Sequence, residues 1–314
     1  MNRRQFLSRS AALLAAGSAL GATGAKLRIG LNLFSIPKML EKNFREAIAF
    51  IANLGYSEVE PYGPYEFNSP GEIAGWRSLG PQLGFSGSGF FGLTAREVRS
   101  ILDEHHMSAP SMHTSLEALQ TKMSALAEAA HVLGATYVTL PSIPADKRQT
   151  LDDYKRMADS FNAIGEEARR NGVKFAYHNH GYGQHPMQGE IPLNLLFKQT
   201  DPALVFFEMD IYWTTAGGGD PIQLLEDHPK RYKMLHLKDM KELQHFKGDG
   251  GDPSQWMAMF PYMTSVGDGV LDIKGIVAQA QRAGIEYYFV EEDTVANPEV
   301  ALKRSADYLL KLPA

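Results

Sequence analysis

The sequence contains no cysteine. That removes disulfides, thiolate nucleophiles and cysteine-ligated zinc together. Any metal would have to sit on histidine, aspartate, glutamate, asparagine or water. An excess of positive charge is also missing. The net charge is −5 and the pI about 6.1, whereas a surface built for phosphate backbones is usually basic. Nucleic acid is therefore not an expected partner. No apolar run approaches the ~20 residues needed to cross a bilayer, so no membrane span is expected. What is present is ordinary for a globular chain of 314 residues: 44% hydrophobic and 21% charged, enough to bury a sizeable core.

The N-terminus is the one unusual stretch. Arg3-Arg4-Gln5-Phe6-Leu7 precedes an Ala/Gly-rich apolar run from Ala11 to Leu20, followed by small residues to Ala25. Charged, apolar and small-residue regions in that order are the layout of a signal peptide. The arginine pair makes it twin-arginine-like. Residues 1–25 are thus expected to be an export signal and 26–314 the mature domain, placed in the periplasm or otherwise exported.

Along the mature chain, β-rich apolar runs alternate with helical periods. Strands are expected at 27–34, 56–60, 107–113, 136–140, 173–178, 204–210, 233–237 and 287–291. Helices between them carry recognisable start and stop signals: Asn43…Glu46, Thr94…Glu97, Thr150…Asp153, Asp220-Pro221 and Asn297-Pro298 at starts, and Gly55, Gly134 and Asn171-Gly172 at ends. One helix is expected from about Ser115 to Leu133. Residues 62–93 and 240–270, rich in glycine, are expected to be long loops, the first with one short helix. Eight strand–helix units predict an α/β fold, a single (β/α)8 barrel. The competing open sheet would show GxGxxG after strand one, but that strand runs into Ser35-Ile36-Pro37, which cannot cradle a pyrophosphate.

In such barrels chemistry sits at the C-terminal ends of the strands. Those ends carry Glu60, His113, His178-Asn179-His180, Glu208-Met209-Asp210, His236-Leu237-Lys238-Asp239 and Glu291-Glu292-Asp293. Residues i and i+2 of a strand share a face, which pairs His178 with His180, Glu208 with Asp210, and His236 with Lys238. A single histidine there is commonly a hydrogen-bonded interior residue. Histidines and carboxylates recurring at successive strand ends of a cysteine-free chain point instead to a divalent cation. By contrast His105, His106, His131, His185, His228 and His245 fall at helix ends, within a helix or in loops.

Several of these stretches resemble the sugar phosphate isomerase/epimerase superfamily, the xylose isomerase-like barrels. They are Tyr177-His178-Asn179-His180, Asp210-Ile211-Tyr212-Trp213 with Gly217-Gly218-Gly219-Asp220-Pro221, His236-Leu237-Lys238-Asp239-Met240, and Val290-Glu291-Glu292-Asp293. The resemblance implies one divalent ion, manganese first, with zinc, magnesium and cobalt as alternatives. Its ligands, carried over by position, are His178, Asp210, His236 and Glu291, with His180 as the alternative on strand five. It implies a sugar carbonyl as substrate, with isomerase or epimerase chemistry through an enediolate. Candidate catalytic groups are Glu291, His113, Glu60 and Lys238. Asn32, His180 and Trp213 are candidate substrate contacts, although Trp213 also suits plain packing and Lys238 a rim salt bridge. Asn32 and Phe34 stand where relatives often show Gln and Tyr.

One departure matters. Epimerases of this superfamily usually carry glutamate where His178 stands. That removes one of the two facing carboxylates and raises a keto-glycoside lyase or hydratase as the alternative. From other classes, an apurinic endonuclease-like repair enzyme shares the barrel and the Asp210 motif, but Trp213 replaces a histidine that it uses. A non-catalytic sugar-binding barrel would be expected to have lost ligands. Association of identical copies is left open.

Overall fold

The computed structural model describes residues 26–293 and 295–313. The expected export signal, residues 1–25, lies outside them. Eight parallel strands form the barrel: β1 (Gly30–Asn32), β2 (Glu58–Glu60), β3 (Ser111–His113), β4 (Tyr137–Leu140), β5 (Lys174–His178), β6 (Val205–Asp210), β7 (Tyr232–Leu237) and β10 (Tyr287–Val290). Their spatial order, β2-β1-β10-β7-β6-β5-β4-β3, places consecutive barrel strands side by side. The ends of that row, β2 and β3, meet through parallel bridges Glu58↔Ser108 and Tyr62↔His113, so the barrel is nearly closed. A small antiparallel pair, β8 (Asp239–Met240) with β9 (Met263–Thr264), lies in the loop after β7.

The helices cover the barrel because their apolar residues fall on one face. In Leu151–Arg170, Leu151, Tyr154, Met157, Ala158, Phe161, Ile164 and Ala168 are buried at three- and four-residue intervals. Thr150 and Asp153 cap its start reciprocally, and Gly172, at φ +74°, turns the chain out of it. Inside the barrel Tyr137, Ala176, Met234 and Phe289 form an apolar layer. Three of them lie two residues before His178, His236 and Glu291. The same strand faces that build the floor therefore carry the polar groups one step above it.

Four expectations are corrected. Strand one is shorter than 27–34, because Asn32 Oδ1 accepts a hydrogen bond from Phe34 N at 2.9 Å and turns Leu33–Ser35 into a 3-10 turn. Residues 62–93 contain a full helix, Pro70–Leu83, opened by a reciprocal Ser69/Glu72 cap. The helix expected over 115–133 is two helices, Leu116–Thr121 and Met123–Leu133, with Lys122 non-helical between them. The 240–270 loop holds β8, β9 and the helix Pro253–Met259.

Candidate active site and metal centre

The strand register brings the polar groups together. His178 pairs in register with Glu208 on β6, and Asp210 with His236 on β7. Glu60 enters from β2, His113 from β3 and Glu291 from just beyond β10. Glu60, Glu208, Asp210 and His236 are fully buried, and His113, His178, Lys238, Glu291 and Asp293 nearly so.

Carboxylates hold His113 and His178 through one ring nitrogen each and His236 through both. His178 Nδ1 lies 3.1 Å from Glu208 Oε2, which leaves Nε2 facing Asp210 Oδ2 at 3.9 Å. His236 Nε2 lies 2.6 Å from Glu60 Oε2, and its Nδ1 2.6 Å from Glu291 Oε2. His113 Nε2 sits between Glu208 Oε2 at 2.7 Å and Glu60 Oε2 at 3.2 Å. Asn32 Nδ2 donates to Glu60 Oε2 at 2.9 Å. Its present partner is thus the glutamate, which it helps to hold.

Burial opposes the charged form of every group here, and neighbours decide the outcome. Burial lowers the His113 pKa, but Glu60 and Glu208 outweigh it and raise it to about 9. For His236 the same opposition, with Glu208, Glu291 and Glu60 on the raising side, leaves it well above the ordinary histidine value. Burial together with the charge of His236 pushes His178 down. Burial, with His178 and Lys238, pushes His180 further down. Those two rings are therefore neutral and able to offer lone pairs. Burial raises Glu208 and Glu291, yet the surrounding cations hold both well below the usual carboxylate range.

Two groups of side chains each bring ligand atoms within 4.8 Å of one another: His113, His178, Glu208 and His236, and Asp210, His236 and Glu291. The four ligands expected from sequence are thus spread over two overlapping groups that share His236. The donor chemistry fits a divalent cation, with imidazole nitrogens and carboxylate oxygens in one small buried volume. Each group also carries a buried carboxylate oxygen without a hydrogen-bond partner, Glu208 Oε1 in the first and Asp210 Oδ2 in the second. Lys238 Nζ lies 3.1 Å from Asp210 Oδ2, close but out of alignment. A buried carboxylate oxygen left so, opposite the free nitrogen of a carboxylate-oriented histidine, could accept a metal ion between the two.

His180 is placed differently. Its Nδ1 lies 2.9 Å from Pro141 O, and its ring stacks on Trp256 at 4.4 Å between centroids. It belongs to neither ligand group. Trp213 is 2% exposed, stacked against Phe246 at 5.8 Å and overlaid by Lys238 Nζ at 5.1 Å from its centroid. It is the seat of a cation within the protein. The glycines 217–219 leave room for the chain near Gly181 and Gln184, which a Cβ at Gly217 or Gly219 would strike. Asp239 ties the turn beyond β9, accepting from Gly267 N at 2.9 Å and Gly269 N at 3.0 Å.

Two residues without an assigned role in the sequence reading belong to the site. Glu208 orients both His113 and His178, and Asp293 Oδ2 accepts from Lys238 Nζ at 2.8 Å. The i, i+2 rule had paired Glu208 with Asp210, and the same spacing relates Asp293 to Glu291.

An eight-stranded parallel barrel with histidines and carboxylates gathered at its strand ends defines a class, and the chain belongs to it: residues 48–312 match the xylose isomerase-like TIM barrel family. Among curated relatives, an inosose dehydratase of Bacillus licheniformis is 31% identical over 177 residues, covering 52% of this chain and 57% of its own. One of Lacticaseibacillus casei is 30% identical over 200 residues, covering 60% of this chain and 64% of its own. The alignments therefore span about three fifths of those relatives. A crystal structure of a sugar phosphate isomerase/epimerase from Parabacteroides distasonis superposes with a TM-score of 0.72 at 24% identity, covering 92% of this chain and 99% of its own. That likeness speaks to the fold. Among the described residues, no helix is long and apolar enough to cross a membrane.

Proposed function

We propose that this protein is a divalent-metal-dependent enzyme that removes a proton beside the carbonyl of a keto-sugar or sugar derivative, with elimination of the neighbouring oxygen as the net reaction. The observation that carries the reading is the His178, Asp210, His236 and Glu291 set, with Glu208 and Glu60 behind its two histidines. The metal would be held by those four. Bound there, it would supply Lewis acidity that lowers the cost of negative charge developing on the carbonyl oxygen.

The remaining roles fall to the chain itself. Glu60 is the best-placed base, because its Oε1 is buried and has no partner while Oε2 is fixed by three neighbours. Lys238 keeps its proton, since Asp210, Asp293 and Glu291 outweigh its burial and raise it well above the ordinary lysine value. It would stabilise the departing oxygen by charge and hydrogen bonding. His113, raised to about 9, would keep Glu60 in place and return a proton. The site then takes a proton from carbon, releases an oxygen from the next carbon and protonates it, so water or an alcohol leaves. The dehydratase names carried by relatives support elimination over isomerisation. So does His178 in place of the second carboxylate that a two-face epimerisation uses.

The test is incubation of manganese-loaded protein in D2O with a panel of keto-polyols and keto-glycosides, followed by NMR. Deuterium at the carbon beside the ketone, together with an unsaturated ketone and its leaving water or alcohol, is expected. Clean C3 epimerisation of free ketoses, with His178→Glu leaving the rate unchanged, would overturn the elimination reading. Tight sugar binding without exchange would instead establish a binding barrel.

A further inference from the structure

Lys238 is the only ammonium among the groups that line the described site, and its contacts are unequal. Nζ lies 3.1 Å from Asp210 Oδ2, 2.9 Å from Glu291 Oε2 and 2.8 Å from Asp293 Oδ2. Only the contact with Asp293 is aligned as a hydrogen bond. Two of the three carboxylates are therefore those assigned to the metal, and the third is not. The face of Trp213 lies beneath the same nitrogen and offers a second attraction that no metal competes for.

An ammonium and a divalent cation cannot share Asp210 and Glu291 at close range without repulsion. When the metal takes those oxygens, Lys238 needs another anionic partner. It is buried, 2% exposed, so water cannot stabilise its charge. Asp293 is the carboxylate in reach that belongs to neither the metal set nor the histidine supports.

We propose that Asp293 is a positioning residue: with the face of Trp213 it forms a dedicated seat that holds the Lys238 ammonium beside the metal position rather than in it. Asp293 thereby sets the affinity of the site for divalent cations and the place from which Lys238 meets a substrate oxygen. The inference rests on the metal reading of the proposed function, and its test separates the two.

Calorimetric titration of metal-stripped protein with Mn2+ or Zn2+ is carried out on four forms: wild type, Asp293→Asn, Lys238→Met and the double variant. With Lys238 present, Asp293→Asn is expected to weaken metal binding about tenfold or more, the size seen when supporting carboxylates are removed. Without Lys238, the same substitution should change affinity by less than about threefold, because the coupling runs through the lysine. Equal losses in both backgrounds would mean that Asp293 acts only as a nearby negative charge and would overturn the proposal. So would an unchanged Asp293→Asn. Failure of the wild type to take up either ion would overturn the metal reading itself, and this inference with it. If Lys238→Met does not fold, a crystal structure of metal-loaded wild type decides. Nζ hydrogen-bonded to Asp293 and out of reach of Asp210 supports the seat, and Nζ remaining on Asp210 refutes it. Asp293→Glu should restore most of the affinity.

Discussion

Replacing Glu208 with Gln tests the site's architecture without touching a proposed metal ligand. One oxygen, Oε2, faces His113 at 2.7 Å and His178 at 3.1 Å. Glutamine can place its amide oxygen where Oε2 faces both rings, but the negative charge is gone and its NH2 group falls at the buried, unpartnered position of Oε1. At least one charge-assisted hydrogen bond is lost, about 1.5–3 kcal/mol. The larger consequence is at His178. Without an anion at Nδ1 its proton is free to settle on Nε2, the nitrogen that faces Asp210. Metal affinity should fall by about 10–100-fold, which is roughly 1.4–2.8 kcal/mol. The assay is competition for Mn2+ or Zn2+ against a chelator of known affinity, alongside a thermal melt to confirm that the variant is folded. A folded Glu208→Gln protein that binds either ion as tightly as the wild type would show that Glu208 does not orient His178, and that the pairing across β5 and β6 is only structural.

Other outcomes follow from the same geometry. His178→Ala should abolish high-affinity metal binding while His180→Ala leaves it within about threefold; the reverse result, read by the same competition, would move the strand-five ligand to His180. Saturating metal at about 100 times its Kd should add about 2.7 kcal/mol of stability, so the Tm should rise by several degrees over that of EDTA-treated protein, and identical melts would contradict a bound ion. Glu58 is buried beside Arg28 at 2.8 Å, and burial outweighs that arginine to raise its carboxyl above the ordinary 4.5. A raised acid favours folding in its protonated form, so its contribution is full below about pH 4.5 and is lost as pH rises through the folded value. Glu58→Gln should therefore gain on the wild type in Tm from pH 4.5 upward, and a gap that narrows with pH would refute the sign. Arg3→Lys with Arg4→Lys should stop export through a twin-arginine route, read by cell fractionation; unchanged fractionation would remove the case for that signal.

The parts of the fold that could be read from sequence were those whose signals are local. The Thr150/Asp153 and Thr94/Glu97 caps, the Asp220-Pro221 start and Gly134 all mark real helix ends. Pro70–Leu83 was hidden because Gly71, Gly75, Gly80 and Pro81 lie inside it, and glycine and proline argue against helix by propensity. Its Ser69-Pro70…Glu72 opening was nevertheless a valid start signal. The break at Lys122 has no proline or glycine to announce it. At the site, alternation along single strands paired His178 with His180, Glu208 with Asp210 and His236 with Lys238, and the family resemblance picked out His178, Asp210, His236 and Glu291 as the ligand set. Neither could say that Glu60 reaches His236 across 176 residues of sequence, or which nitrogen of His178 is left free. Those facts depend on register between strands, and register is a property of the closed barrel.

The charge balance explains why these groups tolerate one another. Glu60, Glu208, Asp210, Glu291 and Asp293 are all buried above the apolar layer of Tyr137, Ala176, Met234 and Phe289. Facing them are Lys238 and the two histidines raised toward protonation, His113 and His236. Five carboxyl groups against three cations leave about two negative charges in a region where water cannot screen them. Burial answers part of this by raising the Asp293 carboxyl to about 7, against the pull of Lys238. A divalent cation on Asp210, Glu291 and the two ligand histidines would exchange the proton on His236 for two positive charges. An oxygen that becomes negative as a neighbouring carbon loses its proton would then meet that cation and Lys238, instead of uncompensated carboxylates. Without the lysine or the cation, the same anionic enclosure would oppose the charge that the reaction has to create.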